Sequence, residues 1–199
     1  MNLIWSQGRR LLFIVLILFY FGYIKTALAL FTITFVFFRA PHRTIHVKDD
    51  NVLRSPADGT ILKVDTSSPN FNHVVIYLSL TDVHVQYAPC DGVIVARDYH
   101  HGTFSPAFWR EKSDLNERVD TLLQCKFGKI ILRQFAGTIA RTIVSFVNVG
   151  DHFTACQQLG MIKLGSRVDI LVPKTLDPVV KEGQSVTACL TTLFVESFS

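Results

Sequence analysis

The chain has 199 residues, 49% hydrophobic and 18% charged, which excludes disordered, collagen-like and low-complexity classes. Of its net charge of +4, Arg9, Arg10 and Lys25 contribute +3 within residues 1–38, where there is no acid. The rest is nearly neutral, so no basic face for nucleic acid is expected, and its length suits one domain.

The first predicted element is apolar. Between Leu11 and Phe38, 23 of 28 residues are hydrophobic. As one helix this stretch would be roughly 42 Å long, against a hydrocarbon core of about 30 Å. Gly22-Tyr23-Ile24-Lys25 interrupts it near the middle. Two arrangements fit: one tilted span, or a re-entrant hairpin of two short helices. Arg9 and Arg10 precede the stretch and Arg39 and Arg43 follow it. Basic residues on both flanks favour the hairpin, with both ends on the cytoplasmic side of the cell membrane. Residues 1–38 are thus the expected membrane anchor, and 39–199 the folded domain.

After Arg39 short apolar runs alternate with turn signals. Strands are predicted at 61–64, 74–78, 93–95, 129–132, 142–144 and 168–172. Asp58-Gly59 and Asp91-Gly92 are turn dipeptides placed directly before strands. No sustained helical period follows residue 39. The expected fold is mainly β, a sandwich or partly closed barrel with glycine-rich turns, of barrel-sandwich-hybrid type, behind a helical membrane hairpin.

Cys90, Cys125, Cys156 and Cys189 are isolated from one another, with no metal-ligand spacing and hence no predicted metal site. Three neighbourhoods carry reactive groups: Ser55 to Gly59, Asp82 to Pro89, and Gly160 to Asp169. Together they hold acids (Asp58, Asp82), a base (His84) and a hydroxyl (Ser166), the minimal set for activating a nucleophile. On a strand Asp82 and His84 would share a face, so the carboxylate could orient or tune the imidazole. Gly165 leaves the carbonyl before Ser166 open to attack.

These blocks resemble the phosphatidylserine decarboxylases, in their short membrane-anchored form. The likeness runs through Phe37 to Arg43, Ser55-Pro56-Ala57-Asp58-Gly59, Asp82-Val83-His84-Val85 with Pro89 and Asp91-Gly92, Asn116-Glu117-Arg118, Ala136 to Val144, and Gly160 to Pro173. It implies that the chain cuts itself between Gly165 and Ser166. The serine hydroxyl attacks the Gly165 carbonyl, an ester forms, and elimination and hydrolysis leave a pyruvoyl group at position 166. A β chain of residues 1–165 would stay bound to an α chain of 166–199, too short to fold alone. The ketone would form a Schiff base with the amine of phosphatidylserine and act as electron sink for loss of CO2, releasing phosphatidylethanolamine. By the same resemblance His84 supplies the proton, Asp58 serves self-cleavage and Asp82 supports His84.

Longer members carry a second histidine where this chain has Tyr87, which leaves His84, Tyr87 or water as the base for self-cleavage. Competing readings are a non-catalytic membrane scaffold of the same descent, a decarboxylase of a related serine-headed ether lipid, and a biotinyl or lipoyl carrier modified at Lys163. Ile162 between Met161 and Lys163 breaks the carrier pattern. Homo-oligomers are left open.

Overall fold

The computed structural model describes the chain except residues 1, 4, 46–48, 50, 103–114, 138–141, 164–165 and 198–199; at 2, 3, 5, 6 and 166 it describes the backbone alone. Gly165 therefore lies outside the described residues. The chain begins with β1 (Asn2–Leu3), α1 (Trp5–Tyr20), α2 (Ile24–Phe37) and β2 (Arg39–Ala40). Then follow β3 (Val52–Arg54), β4 (Gly59–Asp65), β5 (Phe71–Leu78), β6 (Val85–Tyr87), β7 (Gly92–His100), β8 (Arg118–Cys125) and β9 (Gly128–Phe135). The last strands are β10 (Ile143–Ser145), β11 (His152–Phe153), β12 (Gln158–Ile162), β13 (Ser166–Pro173), β14 (Leu176–Pro178), β15 (Ser185–Val186) and β16 (Thr192–Glu196).

The apolar leader is two helices. Gly22 sits at φ +81°, and the N–H groups of Gly22 and Tyr23 donate to the carbonyls of Phe19 and Leu18. This is a Schellman end, satisfying carbonyls that α1 would otherwise leave orphaned, and its left-handed residue is cheap only as glycine. At 16 and 14 residues the helices are about 24 and 21 Å long. No described helix is long and apolar enough to cross a membrane, and the stretch is not one continuous helix. The two helices pack on each other. Their outer ends meet as well, because Asn2 and Leu3 pair antiparallel with Ala40 and Arg39. Phe13, Leu16, Phe19, Phe21 and Ile33 stay exposed, and Tyr20 is 84% exposed.

The remainder is mainly β, and every strand pair is antiparallel. An eight-stranded sheet runs β11-β7-β8-β9-β13-β5-β4-β15, beside three-stranded sheets β10-β12-β6 and β14-β16-β3. The expectation of a sandwich or partly closed barrel is met as a set of antiparallel sheets with no closed barrel: β11 and β15 end the large sheet as edges. Alternating residues of the central strands put one side inward. Val74, Ile76 and Leu78 of β5, Ile130 and Leu132 of β9, and Val168, Ile170 and Val172 of β13 join one core. Leu53 and Phe194 of one small sheet and Leu159 and Ile162 of the other complete it. That shared core layers the small sheets on the large one.

All six predicted strands form. Asp58-Gly59 and Asp91-Gly92 both launch strands, β4 and β7. Residues from Ser166 onward are interleaved with the rest: β13 lies between β9 and β5, β15 pairs with β4, and β16 pairs with β3.

The opposite side of β13 carries charge. Arg167 donates from Nε and Nη2 to the Asp169 carboxylate, each at 2.6 Å, and His73 Nε2 lies 3.0 Å from Asp169 Oδ2. Arg167 also stacks over Phe135, 4.5 Å from the ring centroid. Both charged residues are buried. Burial works against the Asp169 charge, yet Arg167 and His73 hold its carboxyl below the usual carboxylate range. Truncating Asp169 would leave Arg167 buried and uncompensated. Asp169→Ala is expected to cost about 3–5 kcal/mol, read as a lower urea midpoint. A midpoint equal to that of the native chain would refute this.

Candidate active site

The site is built where two segments are pinned face to face. At one end Ser166 pairs with Leu78, in β13 and β5. At the other, Met161 pairs with Val85, in β12 and β6, and the Ile162 N–H donates to the His84 carbonyl at 3.1 Å. The turn from Ser79 to His84 therefore runs between two strands, β5 and β6, that are held at its flanks by Ser166 of β13 and Met161 of β12. Ser166 and His84 are brought to one locality although 82 positions separate them. Lys163 adds a bond from its N–H to Thr142 O at 3.2 Å.

His84 is completely buried. Its Nδ1 lies 2.9 Å from the backbone carbonyl of Asp82. A carbonyl only accepts, so the neutral ring carries its proton on Nδ1, and Nε2 is the basic nitrogen. The ring of Phe37 covers it, with centroids 4.3 Å apart and planes tilted by 41°. Burial pulls the imidazole pKa down from 6.5 to about 4, against the Asp82 hydrogen bond and charge; Arg39 lowers it further and Asp58 opposes weakly. The His84 carbonyl accepts from Gln86 Nε2 at 2.8 Å, and Gln86 Oε1 accepts from Gln134 at 2.7 Å. Both glutamines are buried, so this chain braces the turn from below.

The Asp82 carboxylate does not orient the imidazole. Asp82 and His84 lie in a turn before β6 rather than on a strand. The carboxylate accepts instead from Ser79 N at 2.8 Å and Ser79 Oγ at 2.7 Å. It closes the turn, and the turn presents the backbone carbonyl to the ring.

Asp58 is a clamp. Both its oxygens take the Arg43 guanidinium, the Nη2 bond being 2.6 Å, and Oδ1 also accepts the Ala188 N–H at 2.8 Å. Arg43 donates in turn to the Ala188 carbonyl at 2.9 Å. Burial opposes the Arg43 charge, but Asp58 more than offsets it. Tyr87 lies under this pair, with Arg43 5.2 Å from its ring centroid, and its hydroxyl donates to Pro41 O at 3.0 Å. Burial pushes the phenol up to about 12, so Tyr87 is a donor and a poor base. A cavity of about 680 Å³ is lined by Arg43, Arg54, Pro89, Lys126 and Cys156 among others.

The phosphatidylserine decarboxylase family model matches residues 30–193. The chain belongs to the phosphatidylserine decarboxylase family. It is 38% identical to the phosphatidylserine decarboxylase proenzyme of Carboxydothermus hydrogenoformans, over 89% of this chain and 85% of that one. Identity is also 38% to a protein of Methanosarcina barkeri provisionally named an archaetidylserine decarboxylase proenzyme, over 84% and 78%. For the Mycobacterium leprae phosphatidylserine decarboxylase proenzyme it is 37%, over 79% and 69%. The chain is thus a decarboxylase-family enzyme, which sets aside the carrier reading.

Within that family framework, sequence reasoning singled out Ser166, His84, Asp58 and Asp82 but missed their partners. In the sequence Phe37 belongs to the apolar leader and Arg39 to its basic flank, and neither position points to His84. Gln86 and Gln134 lie 48 positions apart, a pairing that no local spacing reveals. Among the described residues no group of three or more metal-ligating side chains occurs.

The His84 geometry has a consequence for stability. The unfolded imidazole takes a proton near 6.5 and the folded one only near 4. The unfolded state therefore binds more protons in that window, so stability falls as pH drops through it, by about 3 kcal/mol in all. His84→Asn should show a flatter decline of its urea midpoint between pH 7 and pH 4; a curve as steep as that of the native chain would contradict this.

Proposed function

We propose that the chain is a self-processing precursor whose pyruvoyl group, made from Ser166, decarboxylates phosphatidylserine to phosphatidylethanolamine. The observation that supports it is the double pairing around the turn that carries His84: Ser166 pairs with Leu78 before it, and Met161 with Val85 after it. The residue that must become the group starts a strand paired on both sides from Arg167 to Leu171, so a cut before it leaves the new chain end held. Those residues fit the group. When present, the pyruvoyl supplies a ketone that condenses with the substrate amine and takes up the electron pair left by CO2.

The chain's own residues manage protons. With Nδ1 committed to the Asp82 carbonyl, Nε2 of neutral His84 accepts the serine hydroxyl proton during self-cleavage. In turnover it accepts the proton of the substrate ammonium and returns it to the carbon that has lost CO2. A ring with pKa near 4 is a poor donor until loaded in this way. Asp58 supports self-cleavage by tying Arg43, near the end of the leader, to Ala188 beyond the cut. Residues 1–165 and 166–199 are then the β and α chains, held together by the interleaved strands.

The helical hairpin is proposed to sit in the cell membrane, with the domain on the cytoplasmic side. Its exposed apolar side chains, its short helices and the pairing of its two ends suit insertion from one face. A lipid substrate then meets the site at the surface while its tails remain buried. The Methanosarcina resemblance supports a second reading, a serine-headed ether lipid, which demands the same chemistry.

On a denaturing gel the native chain is expected to run as two pieces, and Ser166→Ala as one chain of 22.5 kDa without activity. A Ser166→Ala protein still cut at this bond would overturn the reading. Assay of ester and ether substrates in mixed micelles separates the two lipids. Single cysteines at Ser6 and Lys48 on a cysteine-free background should label from the same side of sealed vesicles; labelling from opposite sides would rule out the hairpin.

A further inference from the structure

The end of the helical hairpin does more than tether the domain. Phe37 closes the last turn of α2 and is 4% exposed. Its ring lies on His84, and it meets Phe38 edge-on with centroids 5.2 Å apart. Phe38 is wedged against Gly8 of α1, where an added Cβ would come within 3.1 Å of the ring. Phe37, Phe38 and Met161 form a buried cluster of their own, separate from the main core. Arg39 completes the fastening, donating to Val36 O at 2.6 Å and to Thr81 O at 2.5 Å. It joins the end of α2 to the turn that carries His84.

We propose that Phe37 is a positioning residue for the decarboxylase reaction: it is the lid that keeps water off His84 and holds the imidazole neutral. This rests on the proton-carrying role given to His84 above. The groups facing the ring oppose one another. The Asp82 carbonyl and carboxylate on the same turn and Asp58 from the β3–β4 connection favour the charged form, whereas burial and Arg39 of β2 favour the neutral one. An aromatic face attracts a cation only modestly, and burial outweighs that attraction. The apolar cover is therefore what tips the balance, and its aromatic face comes from Phe37 at the end of the hairpin.

The test reads protonation directly. In protein labelled at histidine, the His84 ring signal is followed by NMR against pH in the processed, detergent-solubilised enzyme. In Phe37→Ala its midpoint should move from about 4 toward 6.5, while Phe37→Leu, which keeps apolar cover, should titrate as the native enzyme does. The acid limb of kcat should follow, so that the alanine variant loses activity roughly tenfold at about pH 5.5 relative to pH 8. An unmoved midpoint in Phe37→Ala, or an equal shift in Phe37→Leu, overturns the proposal. A moved midpoint with an unmoved acid limb upholds the lid and instead refutes the role of His84 in turnover. If the alanine chain does not fold, judged by near-ultraviolet circular dichroism, Phe37→Gln fills similar space with a polar group and is held to the same criterion.

Discussion

Strand β13 is the constraint on which the rest hangs. From Arg167 to Leu171 it is paired on one side to β9 and on the other to β5. One side feeds the main core through Val168, Ile170 and Val172, and the other carries the buried Arg167–Asp169 pair. A strand fixed in this way leaves no freedom in where its first residue lies. The backbone of Ser166 is placed by the strand that follows it.

The chemistry proposed above also needs a base that is neutral at ordinary pH, and His84 is kept neutral by burial rather than by a carboxylate partner. A histidine paired to an aspartate side chain would have its charged form favoured. Here the Asp82 carboxylate is occupied by Ser79 and only its carbonyl reaches the ring. The tautomer is thereby fixed without an ion pair. Asp58 is likewise withheld, spent on Arg43 and Ala188. Three acids or bases near one another are thus given three separate tasks by the backbone around them.

Much of this was legible in the sequence and some could not be. Strands at 74–78 and 168–172 were visible because their apolar runs are short, β-branched and bounded by turn residues. Strand β8 escaped because Thr121 interrupts the buried side of Val119 and Leu123 while Arg118 and Asp120 break the run from the other side, and β12 because Gly160 reads as a turn. The reactive residues stood out as blocks, but their wiring did not. Asp82 and His84 have the spacing of a strand pair, and the turn that separates their roles is set by Ser79. Phe37 continues the hydropathy of the leader, so nothing in its neighbourhood hints that it ends against an imidazole. Contacts such as Gln86 with Gln134 depend on the register of distant strands, which spacing does not encode.

The turn at Gly22 fixes a matter of parity. One residue at φ +81° converts a stretch of roughly bilayer length into two antiparallel rods, and the ladder of Asn2 and Leu3 with Ala40 and Arg39 ties the start of the detour to its end. A chain that leaves through the doorway by which it came ends beside its own start. In the membrane setting proposed above, the leader would act as a peg pushed in from one side, and the domain would need no export, refolding or threading.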